Sequence, residues 1–173
     1  MRRRLAAPLV LMTLILGMLA GAAGPVAADT AYTCPDKSCS FSVPDFYSVV
    51  SNDATSAIFK DANSGGTFTT ALVPDFPATA TLDDAGTALQ SQFSQADGYQ
   101  ADPRGVQNTT LAGNPARSFY FMQNNSSGTP VEVLAYFSVY QGKLYLLQFA
   151  TSPDQEDAFV AGAQGVFSSW QFT

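Results

Sequence analysis

The stretch that decides the fold runs from residue 131 to residue 150 and has the sequence VEVLAYFSVYQGKLYLLQFA. Two runs rich in β-branched and aromatic residues, 131–140 and 143–150, are joined by Gln141-Gly142. Strand-forming runs separated by two residues that end in glycine predict a β-hairpin. Both faces of each run are apolar, and strands of this kind are covered on both sides of a sheet. In 133–140 one face holds Val133, Ala135, Phe137 and Val139, and the other holds Leu134, Tyr136 and Tyr140.

A first helix is predicted shortly after residue 80. Thr81 is followed three residues later by Asp84, which is the pattern of a capping box, and Gly98 is placed to end the helix. Apolar residues at steps of three and four form one stripe, comprising Leu82, Ala85, Leu89, Phe93 and Ala96. This stripe predicts that the helix covers one face of the sheet.

A second helix is predicted to cover the other face. Ser152 is the expected cap, Pro153 takes the first helical position and Gln155 closes the capping box. Asp154, together with the acids that follow it, suits the positive end of the helix dipole. Its predicted buried stripe consists of Phe159, Ala163, Val166, Phe167 and Trp170, and Phe172 is expected to pack as well.

Further strands are predicted from β-rich runs bounded by turn residues. These runs are 40–43, 46–50, 57–60, 67–73 and 116–122, with a weaker one over 99–113 that Pro103-Arg104-Gly105 interrupts. The predicted fold class is α+β, with an antiparallel sheet of about six to eight strands and helices packed on its faces in an α-β-α sandwich.

The first 28 residues have the order of a secretory signal peptide. Arg2, Arg3 and Arg4 precede an apolar run, and Pro25 and a small-residue site ending at Ala28 follow it. We expect cleavage after Ala28. An uncleaved membrane anchor is the alternative, because the apolar stretch 5–23 is just long enough to span a bilayer. The expected organisation is a signal peptide over 1–28, a flexible leader with a disulfide turn over 29–39, and one domain over 40–173.

The charge of the exported part argues against nucleic acid as a partner. All 14 acids lie after residue 28, whereas three of the eight cations leave with the signal, so the net charge becomes −9. The five remaining cations are scattered and form no basic patch. An acidic surface repels nucleic acid and anionic lipid. Contact with a membrane is therefore expected only through the signal segment, if it stays uncleaved.

Cys34 and Cys39 are the only cysteines, and four residues separate them. An isolated local pair in an exported chain predicts a disulfide, and Pro35-Asp36 favours the turn that would close it. A redox-active pair is the alternative, although thioredoxin-like motifs have two intervening residues.

The sequence offers little for catalysis, so we expect no enzyme, catalytic residue or cofactor. There is no histidine, which removes the commonest general base and the commonest transition-metal ligand. Asp53, Asp61 and Asn63 could converge as calcium ligands, but turn formation explains them more simply. No metal site is expected.

Four tyrosines are candidate ligand-binding residues. Buried tyrosine hydroxyls need a partner or water, so such side chains gather at core edges and groove rims. They are Tyr120, Tyr136, Tyr140 and Tyr145. If they line a pocket, the protein carries a small apolar or aromatic ligand.

The order of these features resembles the PsbP-like superfamily, which also includes a nuclear import factor of the Mog type. The resemblance rests on 41–44 with Tyr47 shortly after, a helix over 82–97, 111–117 leading into an aromatic strand, the paired strands 131–140 and 143–150, and a closing helix over 153–169. It covers roughly residues 40–172. It implies an antiparallel sheet with helices and, since members are mostly non-enzymatic, a binding role. No family motif identifies binding residues here.

Two functions follow as hypotheses. The first is a non-catalytic binding or accessory module of the cell envelope or extracellular space, secreted, periplasmic or on the cell surface. Its partner would be another exported protein or an envelope component. The second is the carrier of a small apolar or aromatic ligand.

Overall fold

The structure is a computed structural model that describes residues 29–73, 76–77 and 79–173, without the side chains of 156–159 and 161. The predicted signal peptide over 1–28 and the side chain of Phe159 lie outside the described residues. No helix in this part of the chain is long and apolar enough to cross a membrane.

Eleven strands and two helices follow one another along the described chain. They are β1 (Thr30–Thr33), β2 (Cys39–Val43), β3 (Tyr47–Asn52), β4 (Ser56–Asp61), β5 (Thr67–Val73), α1 (Leu82–Phe93), β6 (Gln100–Ala101), β7 (Gln107–Leu111), β8 (Asn114–Asn124), β9 (Pro130–Tyr140), β10 (Lys143–Thr151), α2 (Glu156–Ser169) and β11 (Gln171–Phe172).

Eight of these strands form one antiparallel sheet. Its order is β3-β4-β5-β10-β9-β8-β6, with β7 also pairing with β8. The α+β class and the antiparallel sheet are as predicted. The weak run over 99–113 is two short strands, β6 and β7, on either side of the turn that holds Pro103.

A second, three-stranded sheet was not predicted. Its order is β1-β2-β11, so the run over 40–43 does not belong to the main sheet. The prediction of a flexible leader before Cys34 is wrong, because Thr30–Thr33 pairs antiparallel with β2. Tyr32 explains why these residues are ordered: its ring lies 5.0 Å from that of Phe41 and 5.2 Å from that of Phe59.

The central hairpin has the predicted register and turn. Tyr140 pairs with Lys143, and the two turn residues, Gln141 and Gly142, both have positive φ, 49° and 74°. Two positive values of φ are the signature of a type I′ turn, whose twist matches that of the strands it joins.

Both faces of this hairpin are buried, as the sequence predicts. Val133, Ala135 and Phe137 belong to a cluster that includes Ala85 and Leu89 of α1. Leu134 and Tyr136 face the opposite side, in a cluster that includes Ala163 and Val166 of α2. The sheet therefore lies between α1 on one face and α2 with the small sheet on the other.

Helix α1 begins as predicted but ends early. Thr81 caps it, and both hydrogen bonds of the capping box with Asp84 are present. The helix ends at Phe93 with Ser94 as its C-cap, so Ala96 lies beyond it. Gly98, with φ of 68°, belongs to the following turn.

Helix α2 begins later than predicted. Pro153–Gln155 forms a 3₁₀ turn, and Gln155 stands at the N-cap without a side-chain hydrogen bond, so the predicted capping box at Ser152 is wrong. Ser152 instead bonds the side chain of Asp154, which lowers the pKa of that carboxyl. Phe172 packs as expected, with its ring 4.4 Å from that of Tyr140.

Candidate functional site

Strand β3 is an exposed edge of the main sheet. In the described part of the chain it pairs with β4 alone, and every residue from Ser48 to Asn52 is exposed. Val49 is 57% exposed and Val50 is 41% exposed. The strand carries no charged residue, whereas natural edge strands are commonly protected by lysine or other charges. We refer to Tyr47–Asn52 as the β3 edge.

A β-bulge interrupts this edge. Val49 pairs with Phe59 and Ser51 pairs with Ile58, so Val50 is the extra residue. A bulge bends a strand and breaks the hydrogen-bond ladder, which discourages continuous pairing between copies. A partner at this edge would therefore depend on side-chain contacts with Val49 and Val50 as well as on backbone hydrogen bonds.

A shallow depression adjoins the end of the β3 edge. The Tyr32 hydroxyl donates to the side-chain oxygen of Asn52 at 2.9 Å and so links the two features. The depression occupies about 260 Å³, including open solvent, and has room for about one water molecule. Its lining consists of Tyr32, Cys34, Pro35, Asp36, Thr55, Ser56, Ala57, Thr70, Leu72 and Tyr145.

Two carboxylates lie near the depression, and both accept hydrogen bonds from other residues of the protein. Asp53 accepts the backbone N–H groups of Thr55 and Ser56, each at 2.8 Å. Hydrogen bonds hold the pKa of Asp53 below its usual range, with the largest effect from the backbone of Thr55 and smaller effects from Ser56. Partial burial acts to raise the pKa of Asp36, but hydrogen bonds from Lys143, at 2.8 Å, and Ser38 outweigh it and lower that pKa.

All four candidate tyrosines lie on the α2 face of the sheet. The ring of Tyr136 lies 4.3 Å from that of Phe167, and its hydroxyl donates to the Thr110 carbonyl at 2.5 Å. The Arg104 guanidinium lies 4.2 Å from the centre of the Tyr120 ring. These two tyrosines therefore act as packing elements.

Tyr140 and Tyr145 also pack, at the opposite end of the hairpin. Tyr140 stacks on Phe172, and the ring of Tyr145 lies 5.0 Å from the same phenylalanine. Tyr145 is 2% exposed, burial raises the pKa of its hydroxyl, and Ser38 is close enough to lower it in part. Of the four tyrosines, the depression includes Tyr145 alone. Their arrangement therefore lends no support to a carrier function.

The predicted disulfide between Cys34 and Cys39 is present, with the two Cα atoms 5.2 Å apart. The disulfide turn was expected in a leader before the domain, but Cys34 is 7% exposed, Cys39 is fully buried and both belong to the α2-side core. The turn is closed by a hydrogen bond from the Cys34 N–H to the Cys39 carbonyl at 2.8 Å.

Asp53 and Asp61 act as turn residues rather than as one site. Asp61 is 4% exposed and accepts the Asn63 N–H at 2.7 Å and the Ser64 hydroxyl at 2.6 Å. Within the described ranges, no three His, Cys, Asp or Glu side chains are grouped in a way that suits a metal ion.

Val49 and Val50 were not predicted from the sequence as candidate binding residues. An apolar pair in a strand is ordinarily a core pair, and only the sheet order shows that this strand is an edge. The missing signal is tertiary, although the absence of charge in Tyr47–Asn52 is visible in the sequence.

Solved structures with the same fold were found, although no family model and no curated protein sequence matches this chain. The solution structure of cyanobacterial PsbP (CyanoP) from Synechocystis sp. PCC 6803 has a TM-score of 0.63 and 19% identity, covering 91% of this chain and 99% of that one. The Saccharomyces cerevisiae Ran-binding protein Mog1p has a TM-score of 0.58 and 6% identity, covering 83% and 95%.

A third structure with this fold is LpqN of Mycobacterium tuberculosis, described as involved in cell envelope biogenesis. Its TM-score is 0.59 at 15% identity, covering 84% of this chain and 90% of that one. At such identities the likeness establishes the fold alone. The chain has a PsbP-like fold, as its sequence resemblance implied.

Proposed function

We propose that this protein is a non-catalytic accessory module that works after export and binds another exported protein or an envelope component. The proposal rests on the uncharged, exposed β3 edge. The disulfide is in keeping with an oxidising compartment, in the periplasm, at the cell surface or in the medium. LpqN, which shares the fold, is described as acting in cell envelope biogenesis.

The β3 edge favours a partner segment in extended conformation. An extended peptide added to a sheet edge gains backbone hydrogen bonds, and its side chains find specificity in neighbouring apolar contacts. Val49 and Val50 favour apolar side chains in that segment. Because the exported part has five cations and 14 acids after residue 28, the segment is expected to lack acidic residues.

Site-specific photo-crosslinking in the producing cell tests this proposal. A photoreactive amino acid replaces Val49 in one variant and Val106 in the control. Val106 is 37% exposed and precedes β7, away from the β3 edge. We expect a discrete adduct from position 49 that is absent from position 106. Equal labelling at both positions, or no adduct at 49, would contradict a partner at this edge.

Export is tested separately by the intact mass of the protein in each cell fraction. We expect the extracellular or periplasmic form to begin at Asp29. A chain recovered with Met1 in the cytoplasm would overturn the proposed location, and one held in the membrane with Met1 would indicate the uncleaved anchor.

A further inference from the structure

The segment Trp170–Thr173, here called the C-terminal tail, is seated on the disulfide turn. Phe172 pairs with Cys39 in the small sheet. The Thr173 N–H donates to the Ser38 carbonyl at 3.0 Å, and the Thr173 hydroxyl donates to the Lys37 carbonyl. The tail therefore hydrogen-bonds to the turn within the disulfide ring itself.

Two aromatic rings fasten the tail to the rest of the core. The Trp170 ring lies parallel to that of Phe41, with centroids 4.8 Å apart and 6° between the planes. The Phe172 ring stacks on Tyr140 at 4.4 Å. Trp170 is 3% exposed, so the beginning of the tail is buried.

The two cysteines differ in their access to solvent. Cys34 forms part of the lining of the open depression. Cys39 is fully buried and pairs in register with Phe172 of the tail. A reagent from solvent therefore reaches Cys34 more readily than Cys39, which is buried next to the tail.

We propose that the disulfide and the C-terminal tail form a reciprocal latch, in which the docked tail protects the disulfide from reduction and the closed disulfide keeps the tail docked. The thermodynamic basis is linkage. If release of the tail raises the equilibrium constant for reduction of the disulfide by some factor, reduction raises the equilibrium constant for release of the tail by the same factor.

The reduction step, with a small dithiol as the reductant, shows where the tail acts. One reductant thiolate attacks Sγ of Cys34, the disulfide breaks, and Cys39 leaves as a thiolate that then takes up a proton. The second reductant thiol attacks the mixed disulfide and releases Cys34, so the reductant is oxidised to a disulfide and two electrons pass to the protein.

The leaving Cys39 thiolate would form in the apolar α2-side core, at the strand position that pairs with Phe172 of the tail. Burial in such surroundings disfavours a thiolate, which slows its departure. Lifting the tail admits water to Cys39 and removes that penalty. Reduction of the native protein is therefore expected to follow opening of the tail rather than unfolding of the whole domain.

The rate of reduction by dithiothreitol under native conditions tests the latch. Disulfide loss is followed by alkylation and mass spectrometry in the wild type, in Phe172→Ala and in the control Tyr99→Ala. Tyr99 packs on Phe121 at 5.5 Å, on the opposite face of the sheet. Loss of the aromatic contacts of Phe172 raises the population of the open tail through which reduction proceeds, so we expect Phe172→Ala to react about five- to tenfold faster than the wild type. We expect Tyr99→Ala to react at the wild-type rate.

Equal rates for Phe172→Ala and the wild type would overturn the latch. So would an equal acceleration in both variants, since that result indicates reduction through global unfolding. The effect of the disulfide on the tail is measured by the fluorescence of Trp170, the single tryptophan of the chain. In folded Cys34→Ser/Cys39→Ser we expect red-shifted emission, and unchanged emission would also overturn the latch. If that variant does not fold, the rate comparison decides.

Discussion

The hydroxyl oxygen of Tyr47 lies 2.9 Å from the position that a β carbon would take on Gly162. Tyr47 begins the β3 edge and packs against the α2-side core, while Gly162 lies within α2. The edge and the helix approach this closely because residue 162 has no side chain. The contact makes α2 the support of the candidate binding edge.

Replacing this glycine by alanine is expected to destabilise the protein. Gly162→Ala should lower the free energy of unfolding by about 1–3 kcal/mol, because the added methyl group displaces a rigid ring in a packed site. Alanine would otherwise favour the helix by about 1 kcal/mol. Urea denaturation measures the difference.

Gly165→Ala is the matched control on the same helix. A β carbon there would lie 3.5 Å from Pro44, an ordinary contact, so this change should be neutral or stabilising. The loss in Gly162→Ala should shrink when Tyr47 is also changed to phenylalanine. Similar losses in both single alanine variants would refute the assigned contact.

Stability is expected to be nearly constant from about pH 5 to pH 9, because the chain has no histidine and unperturbed aspartate and tyrosine titrate near pH 3.9 and 10. Hydrogen bonds lower the pKa of Asp53 and Asp84 in the folded state. A lowered folded-state pKa gives stability that is present above the unfolded pKa and lost as the pH falls through the folded one. The free energy of unfolding should therefore begin to fall near pH 4 and continue to fall at lower pH.

The free energy of unfolding should also fall at alkaline pH, where the pKa that matters is raised in the folded state instead of lowered. Burial, followed by the charge of Asp61, raises the pKa of Tyr47. A raised folded-state pKa gives stability that is complete below the unfolded value near 10 and declines above it. Thermal melts across the pH range measure both declines, and in Tyr47→Phe the alkaline decline should be smaller. A steep change between pH 6 and pH 8 would contradict both assignments.

Removal of the disulfide is expected to cost more than its short ring implies. The chain-entropy model gives about 2 kcal/mol for a six-residue ring. Cys39 is fully buried and belongs to the apolar α2-side core, so serine at this position adds an unfavourably placed hydroxyl. We expect Cys34→Ser/Cys39→Ser to lose about 2–4 kcal/mol. Chemical denaturation measures the loss, and Cys34→Ala/Cys39→Ala should lose less than the serine pair.

Two substitutions in the turn of the central hairpin are expected to change the stability of the protein in opposite directions. Gly142 has φ of 74° and no atom near the position of an added β carbon, so the cost of Gly142→Ala comes from the backbone alone. We expect a loss of about 1 kcal/mol. Gln141 has φ of 49°, a conformation that asparagine adopts readily, so Gln141→Asn should stabilise slightly. A stabilising Gly142→Ala would contradict the type I′ assignment.

The predictable parts of the fold are those encoded by neighbouring residues. The two-residue turn at Gln141-Gly142 and the capping box of Thr81 with Asp84 each depend on a few adjacent positions, and both are present. The double-sided apolar pattern of 133–140 correctly located the two core layers. The disulfide is also local, because the turn brings Cys34 and Cys39 together.

The features that were missed depend on contacts between distant residues. Strand β1 is ordered by Tyr32 packing on Phe59, which no local pattern reveals. The exposure of Val49 follows from the order of the strands. The predicted cap at Ser152 matched a local motif, yet the chain forms a 3₁₀ turn there before α2 begins. The alternation correctly placed Tyr136 and Tyr140 on one face of their strand, but the packing partners of these two tyrosines come from α2 and β11.

The two strands that pair with β2 are made at very different times during synthesis of the chain. Thr33 pairs with Ser40, whereas Gln171, the other partner of Ser40, emerges 131 residues after it. The β1–β2 hairpin can form as soon as its own residues have been synthesised, but one edge of β2 stays unpaired until almost all of the domain has followed. Contacts so distant in sequence form slowly, and an unpaired strand edge invites association with other chains. The nascent protein is thus most prone to aggregate just before β11 arrives, and a chaperone that holds β2 during that interval would raise the yield of folded protein.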